Sequence, residues 1–276
     1  MVKFYSASDT YSYPFPAVTL AYFLRYPNPY STHVLSTDTI ARHFDPTTQR
    51  LTTIRLHLKR SKLPSAVLKL LPRSLLGASA AGDTQSYILE KSVVDMREGW
   101  MDTESQNLEW TGVLSVVERQ VFRRPVSQAE EELKMWQGVE GAARRHGFIS
   151  FGPSAKVEDS GEMTEVKSTV TLHSHIGDKW KKRRAADDSS SSEDEQPQKM
   201  GFFKSLTTGS LQSSIELIGL KRARRSQPNA KEGMKVVLER MREGGLVAVL
   251  EGMRKDRESA HGQHALKGSG TGGDVD

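Results

Sequence analysis

The chain has 276 residues, a hydrophobic share of 36%, a charged share of 26% and a formal net charge of +5. That length admits one large domain or two small ones, and a mean hydropathy of -0.53 points to one compact domain accompanied by disordered segments. The basic balance, with a pI near 9.3, asks for an anionic partner, either nucleic acid or anionic lipid. The absence of cysteine removes disulfides, thiolate ligands and cysteine nucleophiles. No apolar run reaches the ~20 residues that span a bilayer, and the N-terminus has neither a secretory nor an Arg-rich matrix-targeting pattern.

Phe4 to Tyr13 reads as a strand rich in aromatic and small hydroxyl residues, ended by Pro14 and Pro16. Pro16 suits the first turn of a short helix, whose stripe of Val18, Ala21 and Tyr22 runs on to Arg25. The next stretch, Arg25-Tyr26-Pro27-Asn28-Pro29-Tyr30-Ser31-Thr32-His33-Val34, is the focus of the chain. Pro27 and Pro29 fix their own φ and push Tyr26 and Asn28 toward extended backbone, so the turn is pre-set and holds Arg25 and His33 on either side of it. A second strand covers Val34 to Phe44, and Asp45-Pro46 begins a turn. In Thr52 to Lys59, Ile54, Leu56 and Leu58 point one way while Thr53, Arg55, His57 and Lys59 point the other. That basic face is either solvated or part of a site.

Leu63 to Gly77 is a leucine-rich segment bounded by prolines. It is either a core helix or an amphipathic flap whose Leu63, Leu70, Leu71, Leu75 and Leu76 dip into a bilayer surface. Ala78 to Asp83 suits a hinge. Strands follow at Tyr87 to Asp95, Met101 to Trp110 and Val113 to Arg123, with short turns such as Arg97-Glu98-Gly99. Ser127 to His146 is charged and helix-prone, Phe148 to Met163 reads as loop, and Val166 to Ile176 is the last strand. Asp178 to Lys199 is of low complexity and cannot form a core. A helical face begins at Leu211, Ile215 and Ile218, is expected to be interrupted or kinked at Pro228, and resumes at Met234, Val237, Leu238 and Met241. Gly244-Gly245 weakens it.

No nucleophile elbow, Walker loop, dinucleotide fingerprint or His-Glu-x-x-His run is present, so enzyme chemistry is not expected. His173 and His175 share a strand face, but no carboxylate or cysteine nearby completes a metal site. The elements predict an α+β fold. A curved antiparallel sheet of about seven strands is closed by a long C-terminal helix over an elongated apolar cavity, whose basic residues would meet a phosphate by charge-assisted hydrogen bonds.

Met1-Val2-Lys3-Phe4, the RYPNPYSTHVLSTDTI run and Ser92–Asp95 together resemble the PRELI (slowmo) family of mitochondrial lipid-transfer proteins, most closely the members that carry phosphatidic acid. The resemblance covers Met1 to about Arg123 and resumes in pieces from Val166. It implies a lipid-transfer domain over residues 1–255 with insertions at about 125–165 and 178–200, and a disordered tail over 256–276. It implies that Arg25, His33, Lys59, Lys62, Arg225, Asn229 and Lys231 bind the lipid, and that the leucine-rich segment is a mobile lid. It further implies peripheral attachment to anionic mitochondrial membranes in the intermembrane space. There a small disulfide-stapled helical-hairpin protein is the partner, and cardiolipin synthesis the purpose. No cofactor and no nucleic acid enter this reading; phosphatidylserine transfer and, from another class, RNA binding are the alternatives. Charge reversal at Arg25 is then expected to abolish lipid extraction with the fold intact.

Overall fold

The computed structural model describes residues 2–62, 83–111, 114–125, 161–175 and 200–268. Its elements are β1 (Val2–Tyr11), α1 (Phe15–Phe23), β2 (Val34–Asp45), β3 (Arg50–Lys62), β4 (Asp83–Asp95), β5 (Trp100–Asn107), β6 (Leu114–Arg123), β7 (Thr164–Ser174) and α2 (Met200–Gly268). The seven strands form one antiparallel, curved, open sheet in the order β1-β7-β6-β5-β4-β3-β2. The architecture is α+β, as expected. The connections from β2 to β6 are sequential, and β1 closes the far edge against β7, so β1 and β2 are the edge strands.

Strand alternation decides which residues face the helices. In β7, Thr164, Val166, Ser168, Val170, Leu172 and Ser174 are buried, every second residue of the strand. In β3 the buried row is Thr53, Arg55 and His57, at 1%, 3% and 1% exposure, while Ile54, Leu56 and Leu58 are half-buried on the opposite face. The basic face of this strand is therefore the interior one, and its solvated reading is excluded. Burying such a row costs free energy unless each polar group is paired, and the pairing builds the site.

The apolar core lies at one end of the sheet. Phe15, Ala17, Val18, Ala21 and Tyr22 of α1 pack with Val94, Met101, Phe122 and Val166 of the sheet and with Met234, Val237, Leu238 and Met241 of α2. Pro14 precedes α1 with extended backbone, and the helix ends at Leu24. Arg25 thus lies just beyond the helix, not on its stripe.

The first half of α2 crosses the inner face of the sheet. Glu216 Oε1 accepts from the Ser174 backbone N–H at 3.3 Å, Gln227 donates to Glu118 at 3.0 Å, and Lys231 pairs with Asp9 at 2.5 Å. Contrary to expectation, the helix passes through Pro228 unbroken and departs from helical geometry at Gly244 (φ -142°, ψ 18°) and Gly245 (φ 64°, ψ -154°). Pro228 lies on the exposed side, where a carbonyl left without its helical donor can turn to water. Gly245 adopts a positive φ that a side chain would strain. The helix also continues to Gly268, so residues 256–268 of the expected tail are helical.

Candidate functional site

The Arg25–Val34 turn is held by the side chain of Asn28, which is buried at 2% exposure. Its Nδ2 donates to the Arg25 carbonyl at 2.5 Å, and its Oδ1 accepts from the Tyr30 N–H at 2.8 Å. The Ser31 N–H closes onto the Asn28 carbonyl and the Val34 N–H onto the Ser31 carbonyl, each at 3.0 Å. Against this turn comes Gly233 of α2. A Cβ there would stand 2.8 Å from the Asn28 side chain, so glycine is what lets the long helix lie on the turn.

Behind the turn sits a cluster of charged groups buried in the sheet. Register pairs Arg55 of β3 with Glu90 of β4, and Arg55 donates to Glu90 Oε1 from Nε at 2.9 Å and from Nη2 at 2.5 Å. Arg25 Nη2 reaches Glu90 Oε2 at 2.5 Å, and the Tyr22 hydroxyl donates to the same oxygen at 2.8 Å with Thr103 Oγ1 3.1 Å away. His57 Nε2 lies 3.3 Å from Glu90 Oε2, and its Nδ1 is 2.9 Å from Thr37 Oγ1. The ring's hydrogen bond is the one at Nδ1 to Thr37, while Nε2 is buried beside the carboxylate without a hydrogen-bond partner among the described residues. Arg25 also donates to the Tyr22 carbonyl at 2.8 Å, and its guanidinium carbon lies 3.7 Å from the Tyr22 ring centre and 4.5 Å from that of Tyr26.

Two guanidinium groups thus share one carboxylate. Burial opposes the charge on Glu90, but Arg25, the nearby His57 and Arg55 outweigh it and hold the acid well below its ordinary pKa. Burial lowers the pKa of His57, an effect that Glu90 only partly offsets, so the ring is neutral at pH 7. Both arginines stay protonated. Arg25, Arg55, His57 and Glu90 together therefore carry one net positive charge in the protein interior, beside a cavity whose lining also includes Asp9 and Glu118.

That charge faces a cavity of about 190 Å³ between the turn, the inner face of the sheet and α2. Arg25, His33, Lys59, Asn229 and Lys231, five of the seven residues expected to bind lipid, all line it, together with Tyr26, His57 and Glu90. Lys59 Nζ stands 6.0 Å from the Tyr26 ring centre, and among the described residues no carboxylate lies within ion-pair distance of it. Burial and the cations Lys59 and Arg222 keep the His33 imidazole below its usual pKa. Lys231 is in the lining but is paired with Asp9, so its charge is largely spent.

Two expectations take a different form. Arg225 is exposed on α2 and is absent from the cavity lining. Lys62 pairs through its backbone with Asp83, while its side chain and the lid residues Leu63, Leu70, Leu71, Leu75 and Leu76 lie outside the described residues. The expectation that Arg25→Glu would leave the fold intact also changes, because the new carboxylate would stand against buried Glu90. Sequence reasoning missed the roles of Arg55, His57, Glu90 and Tyr22. The alternation of β3 was the available signal, but only the register shows that Glu90 is the counter-ion. Among the described residues no three potential ligands gather to hold a metal ion. His173 and His175 do meet, edge to face, at 4.1 Å between ring centres and 68° between ring planes. A second, more apolar groove of about 780 Å³ lies between α1, β2, β3 and the end of α2, lined by residues such as Leu20, Leu24, Leu51 and Met253.

A sheet wrapped on a long helix, with a buried cationic floor under a Tyr-Pro-Asn-Pro-Tyr turn, can be compared with known proteins. Residues 16–173 match the model of the PRELI-like family. The chain belongs to the PRELI-like family. It is similar to Protein UPS1, mitochondrial, of Saccharomyces cerevisiae, with 38% identity over 123 residues, covering 45% of this chain and 65% of that one. It is 30% identical over 174 residues to PRELI domain-containing protein 1, mitochondrial, of Homo sapiens, covering 62% of this chain and 71% of that one. It is 38% identical over 105 residues to Protein ups1 homolog of Schizosaccharomyces pombe, covering 38% of this chain and 55% of that one. The chain thus spans about two thirds of the length of the budding-yeast relative and about half that of the fission-yeast one.

Proposed function

We propose that this protein is a mitochondrial phospholipid carrier that moves phosphatidic acid between membranes in support of cardiolipin synthesis. The observation that carries this reading is the buried cluster of Arg25, Arg55 and His57 around Glu90, with its surplus cation turned into a cavity that also receives Lys59. A phosphate monoester carries between one and two negative charges near neutral pH, since its second pKa is ~6. The surplus guanidinium and Lys59 match that charge. A serine head group would bring its own ammonium against the same cations and would need more room. At about 190 Å³ the cavity falls below the ~300–1,000 Å³ of pockets that enclose whole ligands, so it suits a compact head group and leaves the acyl chains to be housed elsewhere.

Family membership and the mitochondrial relatives support the compartment. The same reading brings with it a small disulfide-stapled helical-hairpin partner in the intermembrane space. Edge strand β2 exposes Ile40 at 58% and Phe44 at 56%, apolar surface of the kind such a partner would cover. RNA binding is disfavoured, because the basic floor is enclosed beneath α2 instead of lying on an open aromatic sheet face. The test is transfer of fluorescent phosphatidic acid and phosphatidylserine between liposomes by the wild type and by Arg25→Gln. The proposal requires faster transfer of phosphatidic acid, lost in the variant. Equal transfer of both lipids, or an unaffected variant, would remove the assignment.

A further inference from the structure

We propose that the outer face of the first half of α2, made by Leu217, Lys221, Arg224 and Arg225, is the surface by which the protein docks on an anionic bilayer; this rests on the lipid-carrier reading above. Between Leu217 and Lys231 the helix carries Lys221, Arg222, Arg224, Arg225 and Lys231 and no acidic residue. At 3.6 residues per turn, positions 217, 221 and 224 fall within about 60° of one another on the wheel, with 225 next to them. All four are exposed, Leu217 at 60%. The opposite side of this stretch is occupied by the sheet. Gly219 is so close that a Cβ would meet Leu114 and Leu172 at 3.2 Å, and Gln227 bonds Glu118. What remains outward is a cationic face with a leucine at its start, the composition of an interfacial helix.

Its position relative to the cavity gives the face a use. Arg222 is near enough to His33 to help depress its pKa, and Ser226, Gln227 and Asn229, on the following turn, line the cavity. The basic turn therefore borders the cavity, and a bilayer attracted to it would present its phosphates beside the entrance. Arg224 lies 5.8 Å from the Tyr5 ring centre, which ties this cation to edge strand β1. Nucleic acid would feel the same charge, but the exposed Leu217 has no use on a phosphate backbone and suits an acyl boundary. The structure's surplus of cations also finds its place here, since Arg225 is exposed on this face and takes no part in the cavity.

The experiment uses the full chain and two separate readouts. Sedimentation with vesicles of phosphatidylcholine alone, or with phosphatidylglycerol added, measures docking. The thermal shift produced by soluble short-chain phosphatidic acid measures the cavity. Lys221→Glu/Arg224→Glu, both outside the cavity, is expected to lower partition onto the anionic vesicles by roughly tenfold or more while keeping the thermal shift. Lys221→Arg/Arg224→Lys is expected to bind as the wild type does, and Leu217→Ser to weaken partition at high salt, where the charges are screened. Anionic-vesicle binding by the charge-reversed variant equal to that of the wild type would overturn the proposal. So would binding of single-stranded RNA that is tighter than vesicle binding and is lost in the same variant, which would make this a nucleic-acid face. A wild type that docks through this face yet shows no thermal shift would sink the head-group reading of the cavity and leave the docking surface standing.

Discussion

Glu90 is where the stability and the selectivity of the site meet, and Glu90→Gln separates them. The side chain is 1% exposed and receives two hydrogen bonds from Arg55, one from Arg25 and one from Tyr22. An amide of the same shape keeps the packing but removes the only carboxylate in the cluster and turns an NH₂ toward a guanidinium. Breaking a buried ion pair from one side costs about 3–5 kcal/mol, because the partner charge stays behind unpaired. For a domain of this size that corresponds to a fall in Tm of about 6–20 °C. Arg25, the one of the two arginines that lines the cavity, then gains more from a guest anion than it does in the wild type. Short-chain phosphatidic acid should therefore raise the Tm of the variant by more degrees than it raises that of the wild type, in scanning fluorimetry on both proteins. Arg55→Gln combined with Glu90→Gln should recover part of the lost stability, since one buried cation goes with the carboxylate. A variant as stable as the wild type, with the same response to the lipid, would show that Glu90 is not the counter-ion that organises the floor.

Arg25→Gln should weaken phosphatidic acid binding by roughly tenfold to a hundredfold, the loss of one charge-assisted contact worth ~1.5–3 kcal/mol, read by lipid extraction from liposomes. Stability should fall with acid. His57 has a folded pKa below its ordinary 6.5, so the unfolded chain takes up the extra proton as the pH drops through 6.5; Glu90, held well below 4.5, adds to the loss below that pH. Thermal melts at a series of pH values check this, and a Tm that rises between pH 7 and pH 5 would contradict it. Gly233→Ala should destabilise by about 1–3 kcal/mol, because its Cβ would press on Asn28, which is itself fixed by two hydrogen bonds; chemical denaturation measures it. Pro228→Ala should raise the denaturation midpoint, since it restores a helical N–H at an exposed position where proline is ~3 kcal/mol less favourable than alanine.

Much of this architecture is legible in the sequence because it follows from period. The alternation in β7 and the Met234, Val237, Leu238, Met241 stripe each have one apolar side, and that side is buried. The alternation in β3 is just as regular, yet period alone cannot say which of its two faces turns inward. Here tertiary structure chooses the polar one, because Glu90 on the adjacent strand compensates Arg55 and the turn delivers Arg25 to the same carboxylate. A cross-strand partner thirty-five residues away in the chain leaves no local mark. Arg225 shows a related limit: its spacing to Asn229 suggests one face, yet Asn229 lines the cavity and Arg225 does not, the phase of the helix being fixed by contacts such as Gly219 and Gly233. Pro228 against Gly244-Gly245 shows the same limit. Proline is the stronger breaker by propensity, but it is tolerated on an exposed side, and the paired glycines yield where α2 bends.

The most direct test of the central claim is to incubate the purified protein with liposomes of mixed phosphatidic acid, phosphatidylserine and phosphatidylcholine, re-isolate it, and identify the lipid that comes with it by mass spectrometry. A head-group cavity floored by Arg25, His57 and Glu90 predicts about one phosphatidic acid per chain, with little of the others, and none on Arg25→Gln. Recovery of phosphatidylserine or phosphatidylcholine in preference, or of no lipid at all, would contradict it.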